Sequence, residues 1–258
     1  MSASGNPLSI PDNTFPSPGW LKVDFHLHTS EDPLDCLDHS ALELLQRAHA
    51  LGFHALAITL HDHVLSDPAV FAAARKLGIL LIPAAELRLD GADVVVLNLS
   101  AEEASKLKHL RDLEAFRQRR GRSVLVIAPH PFFVMGGSIG KKRLIEYIDL
   151  FDAIEISHFY THCFNRNRPA IQLAKRFQKP LLATSDAHRM EGFGDHYTLV
   201  QAPADAPPEV IFDAIRAGYV RPVSAPLTIA QFARNLWWIF VEHEMNKRRR
   251  RLTQPTSF

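Results

Sequence analysis

The chain has few of the features that mark secreted, membrane-spanning or nucleotide-binding proteins. It contains two cysteines in 258 residues, Cys36 and Cys163, which excludes a disulfide framework and is typical of reduced thiols in the cytoplasm. No apolar run approaches the roughly 18 residues that a spanning helix needs. No glycine-rich phosphate loop follows a strand-like segment, which argues against a Rossmann or P-loop enzyme.

Charge and composition are those of an ordinary globular protein. The formal net charge is +1 and 22% of residues are charged, which argues against bulk binding of nucleic acid and against an acidic disordered chain. The first 22 residues are rich in Pro, Ser and Gly and lack a basic segment followed by an apolar core, so we expect an N-terminal arm and no signal peptide. These features predict a cytoplasmic protein without a transmembrane segment.

Short apolar runs alternate with amphipathic helical patterns from Val23 onwards. The segment from Ser40 to Gly52 predicts a helix, with Ser40 and Glu43 as a capping box. Residues 102–121 predict one long helix. The runs that predict strands are VDFHLHT, ALAIT, LLIPAAELRL, ADVVVLNL, VLVIAPH, AIEIS, PLLATSD and YTLVQA. Repeated strand-helix units predict an α/β fold with a parallel sheet, and their number at this length favours a closed barrel.

The pattern divides the chain into an arm (1–22), a barrel (23–226) and a C-terminal helix with a basic tail (227–258). In the last segment, apolar residues at helical spacing precede four arginines, Arg248–Arg251. We predict a helix that packs on the barrel and a solvated tail. An apolar helix face beside a basic cluster also suits anionic lipid or nucleic acid, so peripheral membrane contact is the alternative.

Histidines and carboxylates recur where the predicted strands end. His26 and His28 lie two residues apart on one strand and therefore face the same side. The residues that follow later strands are His61, Asp62, Glu86, His130, Glu155, His158, Asp186 and His188. The C-terminal ends of barrel strands meet on one face, where active sites of such folds are built. We therefore expect these side chains to converge.

This set of ligand types predicts a metal site. Imidazole and carboxylate groups without neighbouring thiolates suit Zn, Mn or Fe, and a carboxylate can bridge two ions. A single histidine at a strand end is most often a hydrogen-bonded polar residue, so the prediction depends on their joint occurrence. Clustered metals activate water and clamp the oxygens of a phosphoryl transfer, so the pattern indicates hydrolysis.

Six short motifs together resemble the PHP superfamily, named for polymerase and histidinol phosphatase. They are DFHLHTS, AITLHD, AAEL, APHP, AIEIS and TSDAH, and they cover roughly Val23 to Arg189. The resemblance implies a distorted (β/α)7 barrel with a metal site at the C-terminal ends of the strands. It also implies two or three divalent metal ions and, as in many members, phosphoesterase activity on small phosphates or nucleic-acid ends.

The resemblance also implies a ligand set. The first ion would be held by His26, His28, Glu86 and Asp186. The second would be held by Glu86 and His130, and the third by His61, His188 and either Asp32 or Asp35. Glu155 is expected directly behind the ligands.

Two positions depart from the family pattern. Leu60 stands where a carboxylate is usual, and no histidine follows Glu86 at the expected distance. Asp93 lies at about that place. It either replaces the histidine as an oxygen ligand, or the second metal site is weaker or empty.

The leading hypothesis for function is hydrolysis of a small phosphoester or nucleotide by metal-activated water. Asp186 or His188 would manage the proton of the nucleophile, and His158 or His162 would protonate the leaving group. Candidates for binding the substrate phosphate are Arg166, Arg168 and Arg189. The alternatives are an amide or ester hydrolase on the same metal centre and a non-catalytic module that binds a partner or nucleic acid, which the missing carboxylate at Leu60 supports.

Overall fold

A computed structural model describes residues 19–133, 136–243 and 245 of the chain. Residues 1–18 of the predicted arm and the basic tail Arg248–Arg251 lie outside the described residues. The first strand begins at Trp20, three residues before the predicted start of the barrel at Val23.

The described residues form strands and α-helices that alternate along most of the chain. The strands are β1 (Trp20–Leu27), β2 (Ala55–Ile58), β3 (Leu80–Leu81), β4 (Ala84–Leu89), β5 (Ala92–Leu97), β6 (Leu125–Ala128), β7 (Ala153–Ile156), β8 (Leu181–Ala183), β9 (Tyr197–Gln201) and β10 (Val220–Val223). The helices are α1 (Ala41–Ala50), α2 (Pro68–Lys76), α3 (Ala101–Ser105), α4 (Leu110–Arg120), α5 (Gly140–Glu146), α6 (Asn167–Phe177), α7 (Pro208–Arg216) and α8 (Ile229–Trp237).

The strands form two five-stranded sheets, in the orders β10-β9-β1-β2-β3 and β4-β5-β6-β7-β8. The parallel pairs are β1–β2, β2–β3, β6–β7 and β7–β8. The antiparallel pairs are β1–β9, β9–β10, β4–β5 and β5–β6. The α/β class is therefore confirmed and the purely parallel sheet is wrong. No closed (β/α)7 barrel is found among the described strands.

Two local features explain the departure from a closed parallel barrel. Asp90 and Gly91 both have positive φ, +49° and +78°, and form the tight turn of an antiparallel β4–β5 hairpin. Pro83, which has no N–H, separates β3 from β4, so the predicted single strand becomes two strands in different sheets. Only isolated bridges join the sheets among the described residues, His61 to Glu86 and Leu27 to Ala187.

The helix boundaries follow their caps. At α1 the predicted capping box is confirmed, because the Ser40 N–H donates to Glu43 Oε2 at 2.7 Å and the Glu43 N–H donates to Ser40 Oγ at 3.3 Å. The predicted long helix is wrong: α3 ends at Ser105 and α4 begins at Leu110. The helix is interrupted between them. There the Asp112 carboxylate accepts hydrogen bonds from the N–H groups of Lys108 and His109, and these bonds cap the start of α4.

Apolar side chains from both sheets share one core. Phe25 of β1 and Val95 and Ile127 of the other sheet belong to the same buried cluster, which α7 covers with Phe212. Complete burial of a side chain such as Phe25 contributes about 1.5–3 kcal/mol. This core holds the ends of β1, β4, β6 and β8 near one another.

Helix α8 packs across the loops that follow β7 and β8. The Leu227 N–H donates to the Tyr160 carbonyl at 2.7 Å, and the Phe232 ring lies 4.6 Å from the Phe159 ring. On the outer side, Trp237 is 59% exposed. Within the described ranges, no helix combines the length and the hydropathy that a membrane crossing requires.

Candidate metal centre

Side chains from the ends of β1 and β8 meet in a buried cluster. Asp186 Oδ1 lies 3.5 Å from His26 Nε2 and 3.3 Å from His28 Nε2. All three atoms are buried and have no hydrogen-bond partner among the described residues. Unpartnered buried polar atoms are costly, and a cation between them would satisfy all three. The donor set therefore fits a divalent metal ion.

Glu86, on β4, lies at the centre of the cluster. Its Oε1 is 3.2 Å from His130 Nε2, whereas its Oε2 is 3.4 Å from His26 Nε2 and 3.3 Å from His61 Nε2. Each carboxylate oxygen thus faces a different group of histidines. This is the arrangement that a carboxylate bridging two ions requires.

Acceptors behind two of the rings fix their orientation. His26 Nδ1 lies 2.8 Å from Glu155 Oε2, and His61 Nδ1 lies 2.7 Å from Asp32 Oδ2. Because an ionised carboxylate can only accept, each Nδ1 carries a proton, and Nε2 is the ring nitrogen that faces the cluster and can bind a metal ion. Glu155 therefore lies behind the His26 ring, on the side away from the cluster.

The two acids after β1 occupy different places. Asp32 Oδ2 also accepts the His61 N–H at 2.9 Å, so Asp32 lies behind His61 on its Nδ1 side. Asp35 Oδ2 is 3.5 Å from His188 Nε2, while His188 Nδ1 donates to the Asp186 carbonyl at 3.1 Å. Asp35 therefore faces the ring nitrogen that is available to a metal, and Asp32 does not.

In the part of the chain that the structure describes, three groups of potential ligand atoms lie close enough to hold an ion. They are His26, Glu86 and His130; His26, His28 and Asp186; and His28, His61 and His188. Asp93 belongs to none of these groups. Its Oδ1 pairs with Arg88 Nε at 2.6 Å, and burial, with the charge of Glu86, raises the pKa of Asp93 to about 6.

Charged groups within the cluster oppose the effect of burial on the pKa values of its histidines. Burial would lower the pKa of His28, but the nearby carboxylates of Asp186 and Asp32 raise it to about 9. Burial would also lower the pKa of His130, but its hydrogen bond to Glu86 outweighs this effect and raises the pKa to about 9. The metal-free carboxylates therefore keep protons on these rings, and a divalent cation would displace them.

Backbone strain coincides with the cluster. His130 and Asp186 have φ of +25° and +44°, in the left-handed region that side-chain-bearing residues rarely adopt. Each such residue costs on the order of 1–3 kcal/mol, and such strain is concentrated at functional sites. At His130, Ser138 Oγ donates to the carbonyl at 2.7 Å and helps to hold the turn.

Sequence reasoning missed Asp24, which is fully buried on β1. Its carboxylate accepts from Ser185 Oγ at 2.6 Å and from the His26 N–H at 3.3 Å. Burial raises the pKa of Asp24 to about 7, although the bonds from Ser185 and His26 oppose the rise. Asp24 fastens β1 to the loop after β8 and so brings His26 beside Asp186. Its place two residues before His26, on the same strand face, was the available signal.

The cluster opens into a cavity of about 310 Å³. What we call the metal side is lined by His61, Glu86, His130, Asp186 and His188. The aromatic side is lined by Phe133, Phe159, Leu227, Trp238 and Ile239. Of the predicted substrate-binding arginines, Arg189 lines the cavity, whereas Arg166 and Arg168 are exposed on the loop before α6 and at its start. His162 is also exposed and outside the lining.

Two further histidines form part of the cavity wall. His158 Nδ1 is buried without a hydrogen-bond partner in the described part of the chain, and burial lowers the pKa of its ring. The His196 ring lies 5.8 Å from that of His158, and burial lowers the pKa of His196 to about 3. His196 was not predicted, because it precedes β9 in a turn and belongs to no strand-end pattern.

A family model and a curated protein each match part of this chain. A family model described as PHP-associated matches residues 164–220. A DNA polymerase III of the PolC type from Streptococcus suis is 44% identical over 61 residues, which are 24% of this chain and 4% of the polymerase. The chain thus matches only a small part of the length of that curated relative.

Three solved structures share the fold at low sequence identity. PsfC from Pseudomonas syringae has a TM-score of 0.57 at 20% identity and covers 88% of this chain and 99% of its own. The lesion-specific endonuclease Q from Pyrococcus furiosus has a TM-score of 0.55 at 13% identity, covering 84% and 66%. A Bifidobacterium adolescentis protein assigned as a metal-dependent phosphoesterase has a TM-score of 0.51 at 14% identity, covering 67% and 89%.

Proposed function

We propose that the chain is a member of the PHP superfamily and a metal-dependent phosphoesterase acting on small phosphoesters or nucleotides. The observation that carries the proposal is the meeting of His26 Nε2, His28 Nε2 and Asp186 Oδ1, three buried atoms without partners among the described residues. A cation is the group that satisfies all three at once.

We propose that the ligands divide among two or three ions. His26, His28 and Asp186 would hold the first, with Glu86 bridging to a second at His130. Asp35, His61 and His188 would hold a third. The Arg88 pair supports leaving Asp93 out of the set, which makes the second site the poorest in ligands. When bound, such ions would lower the pKa of a water molecule and neutralise charge on a phosphoryl group.

The protein's own residues would position the reactants. Burial would raise the pKa of Asp186, but the charges of His26 and His188 hold it well below its usual range, so the carboxylate can accept a hydrogen bond from the attacking water. Arg189 lines the cavity and would bind a phosphate oxygen. His158, with an unpartnered buried nitrogen, would place an N–H at the leaving oxygen.

A panel of phosphomonoesters and phosphodiesters, assayed with Mn or Zn added, tests the proposal. We expect wild-type activity that is lost in the double variant His26→Ala with Asp186→Asn. The matched control is His63→Ala, because His63 is exposed and does not line the cavity. Activity that survives the double variant would refute the assigned centre. Bound metal well below one ion per chain in the wild type would instead favour a non-catalytic binding module.

The aromatic side of the cavity supports a second candidate, an amide or ester hydrolase on the same metal centre. Phe133, Phe159 and Leu227 provide an apolar surface that suits an uncharged substrate. The same metal chemistry polarises carbonyl groups. Comparing p-nitrophenyl phosphate with p-nitrophenyl acetate separates the candidates, since Arg189 should favour the phosphate.

A further inference from the structure

Helix α8 crosses the mouth of the cavity. Near its start, Phe232 packs on Phe159 of the loop after β7, with 4.6 Å between the ring centroids. Directly after its end, the Trp238 ring lies 6.4 Å from the His188 ring, in the loop after β8. The helix therefore spans from one strand-end loop to the other, above the metal side.

The inner face of α8 and the turn after it carry groups that suit a ligand. Trp238 lines the cavity, with the Arg189 guanidinium 5.8 Å from its ring. Arg234 also lines the cavity, and it makes no ion pair with any residue that the structure describes. Arg189, in contrast, already pairs with Glu191, with 3.3 Å between Nε and Oε2. Arg234 therefore adds a second cation to the cavity lining, beside Arg189.

We propose that α8 is a cap that selects small aryl phosphomonoesters and excludes nucleic-acid strands. The aryl group stacks against Trp238 on the aromatic side, and Arg234 attracts the anionic charge of the substrate at the cavity mouth. This inference rests on the proposed function, since it takes the phosphate to bind on the metal side. It adds to the proposed function a substrate class, small aryl phosphomonoesters, and two residues that would determine specificity, Trp238 and Arg234.

The dimensions of the cavity support a small substrate. A volume of about 310 Å³ is at the lower end of the range for small-molecule sites, roughly 300–1,000 Å³. The His188 and Trp238 rings are 6.4 Å apart. A small aryl phosphate can therefore place its phosphate beside the histidines of the metal side while its aryl group reaches Trp238. A polymer strand needs an open, basic groove, whereas here residues of α8 line the cavity and cross its mouth.

Adjacent tryptophans provide a matched pair of variants. Trp238 lines the cavity, whereas Trp237 is 59% exposed on the outer face of α8. With p-nitrophenyl phosphate as substrate, we expect Trp238→Ala to raise KM about tenfold with little change in kcat, the loss of one stacking contact. Trp237→Ala should match the wild type. Arg234→Gln should also raise KM, and Arg234→Lys should restore part of the loss.

Binding of phenylphosphonate, an aryl phosphonate that cannot be hydrolysed, tests the cap without turnover. In the metal-loaded protein it should change tryptophan fluorescence in the wild type and in Trp237→Ala, and this change should be lost in Trp238→Ala. A single-stranded oligonucleotide with a terminal phosphate should neither bind at comparable concentration nor be cleaved.

The possible failures are distinguishable. A wild type that hydrolyses the oligonucleotide as efficiently as p-nitrophenyl phosphate overturns the cap while leaving the phosphoesterase intact. Equal effects of Trp237→Ala and Trp238→Ala on KM do the same. A wild type that binds phenylphosphonate through Trp238 but hydrolyses no phosphoester supports the cap and overturns the proposed function. A wild type that does not bind phenylphosphonate overturns the cap.

Discussion

The metal side of the cavity and the α8 cap differ in how deeply their residues are buried and in how they are held in place. His26 and His28 on the metal side are completely buried, and His26 is held from behind by Glu155. No described residue of α8 is fully buried; Phe232 packs on Phe159, and just before the helix the Leu227 N–H donates to the Tyr160 carbonyl. Buried hydrogen-bonded groups are held rigidly, whereas an element with few buried contacts opens at low cost. The comparison indicates that metal binding and substrate selection are separable properties of this chain.

The largest expected effect comes from removing one ligand on the metal side. Asp186→Asn keeps the shape of the side chain but removes the charge that faces His26 and His28. We expect phosphoesterase activity to fall by more than about 100-fold, beyond the range for groups behind the ligands. Metal content by mass spectrometry and kcat/KM measure it. A variant with full metal content and normal activity would remove Asp186 from the centre.

A smaller loss is expected for Glu155, which does not face the metal positions. Glu155→Gln removes the charge behind His26 Nδ1 but leaves an amide oxygen that can still accept. Metal affinity should fall by about 10- to 100-fold, and excess metal should restore kcat. If excess metal fails to restore kcat, Glu155 has a role beyond positioning His26.

The stability of the metal-free protein should depend on pH because of the metal side. Although burial alone would lower them, neighbouring carboxylates raise the pKa values of His28 and His130 to about 9, against an ordinary value of 6.5. Since the folded state binds these protons more tightly, their stabilisation is complete below pH 6.5 and is lost as the pH rises through about 9. Urea unfolding across this interval should show a falling free energy of unfolding. A flat profile would contradict the charge arrangement.

The smallest effect on chemistry is expected from loosening the cap. Phe232→Ala removes the ring that packs on Phe159 and Phe164. We expect KM for p-nitrophenyl phosphate to rise about threefold to tenfold, with metal content and kcat unchanged. Loss of bound metal in this variant would show that the two sides of the cavity are not separable.

The difference between the metal side and the α8 cap also explains which parts of the site the sequence could predict. His26, His28, Glu86 and His130 lie on or directly after strands, and a strand end fixes where a side chain points, so their meeting followed from local pattern. Asp35 faces His188, whereas Asp32 lies behind His61. These positions depend on the path of the loop after β1, and the spacing of residues in the sequence does not predict that path.

The cap was beyond sequence reasoning for a related reason. The helical spacing predicted α8, but which of its faces meets the cavity is decided by contacts with residues far away in the chain, such as Phe159 and His188. Arg166 and Arg168, which were predicted to bind a substrate phosphate, lie outside the cavity lining. The hairpin of β4 and β5 was signalled by its Asp90-Gly91 turn, although the overall alternation favoured a parallel barrel.

Anomalous diffraction from crystals of the protein grown with manganese or zinc tests the central claim most directly. We predict a peak at ligand distance, about 2.0–2.2 Å for zinc, from His26 Nε2, His28 Nε2 and Asp186 Oδ1. A second peak should lie beside Glu86, on the side of His130. A fully metal-loaded crystal with no peak among His26, His28 and Asp186 would contradict the account.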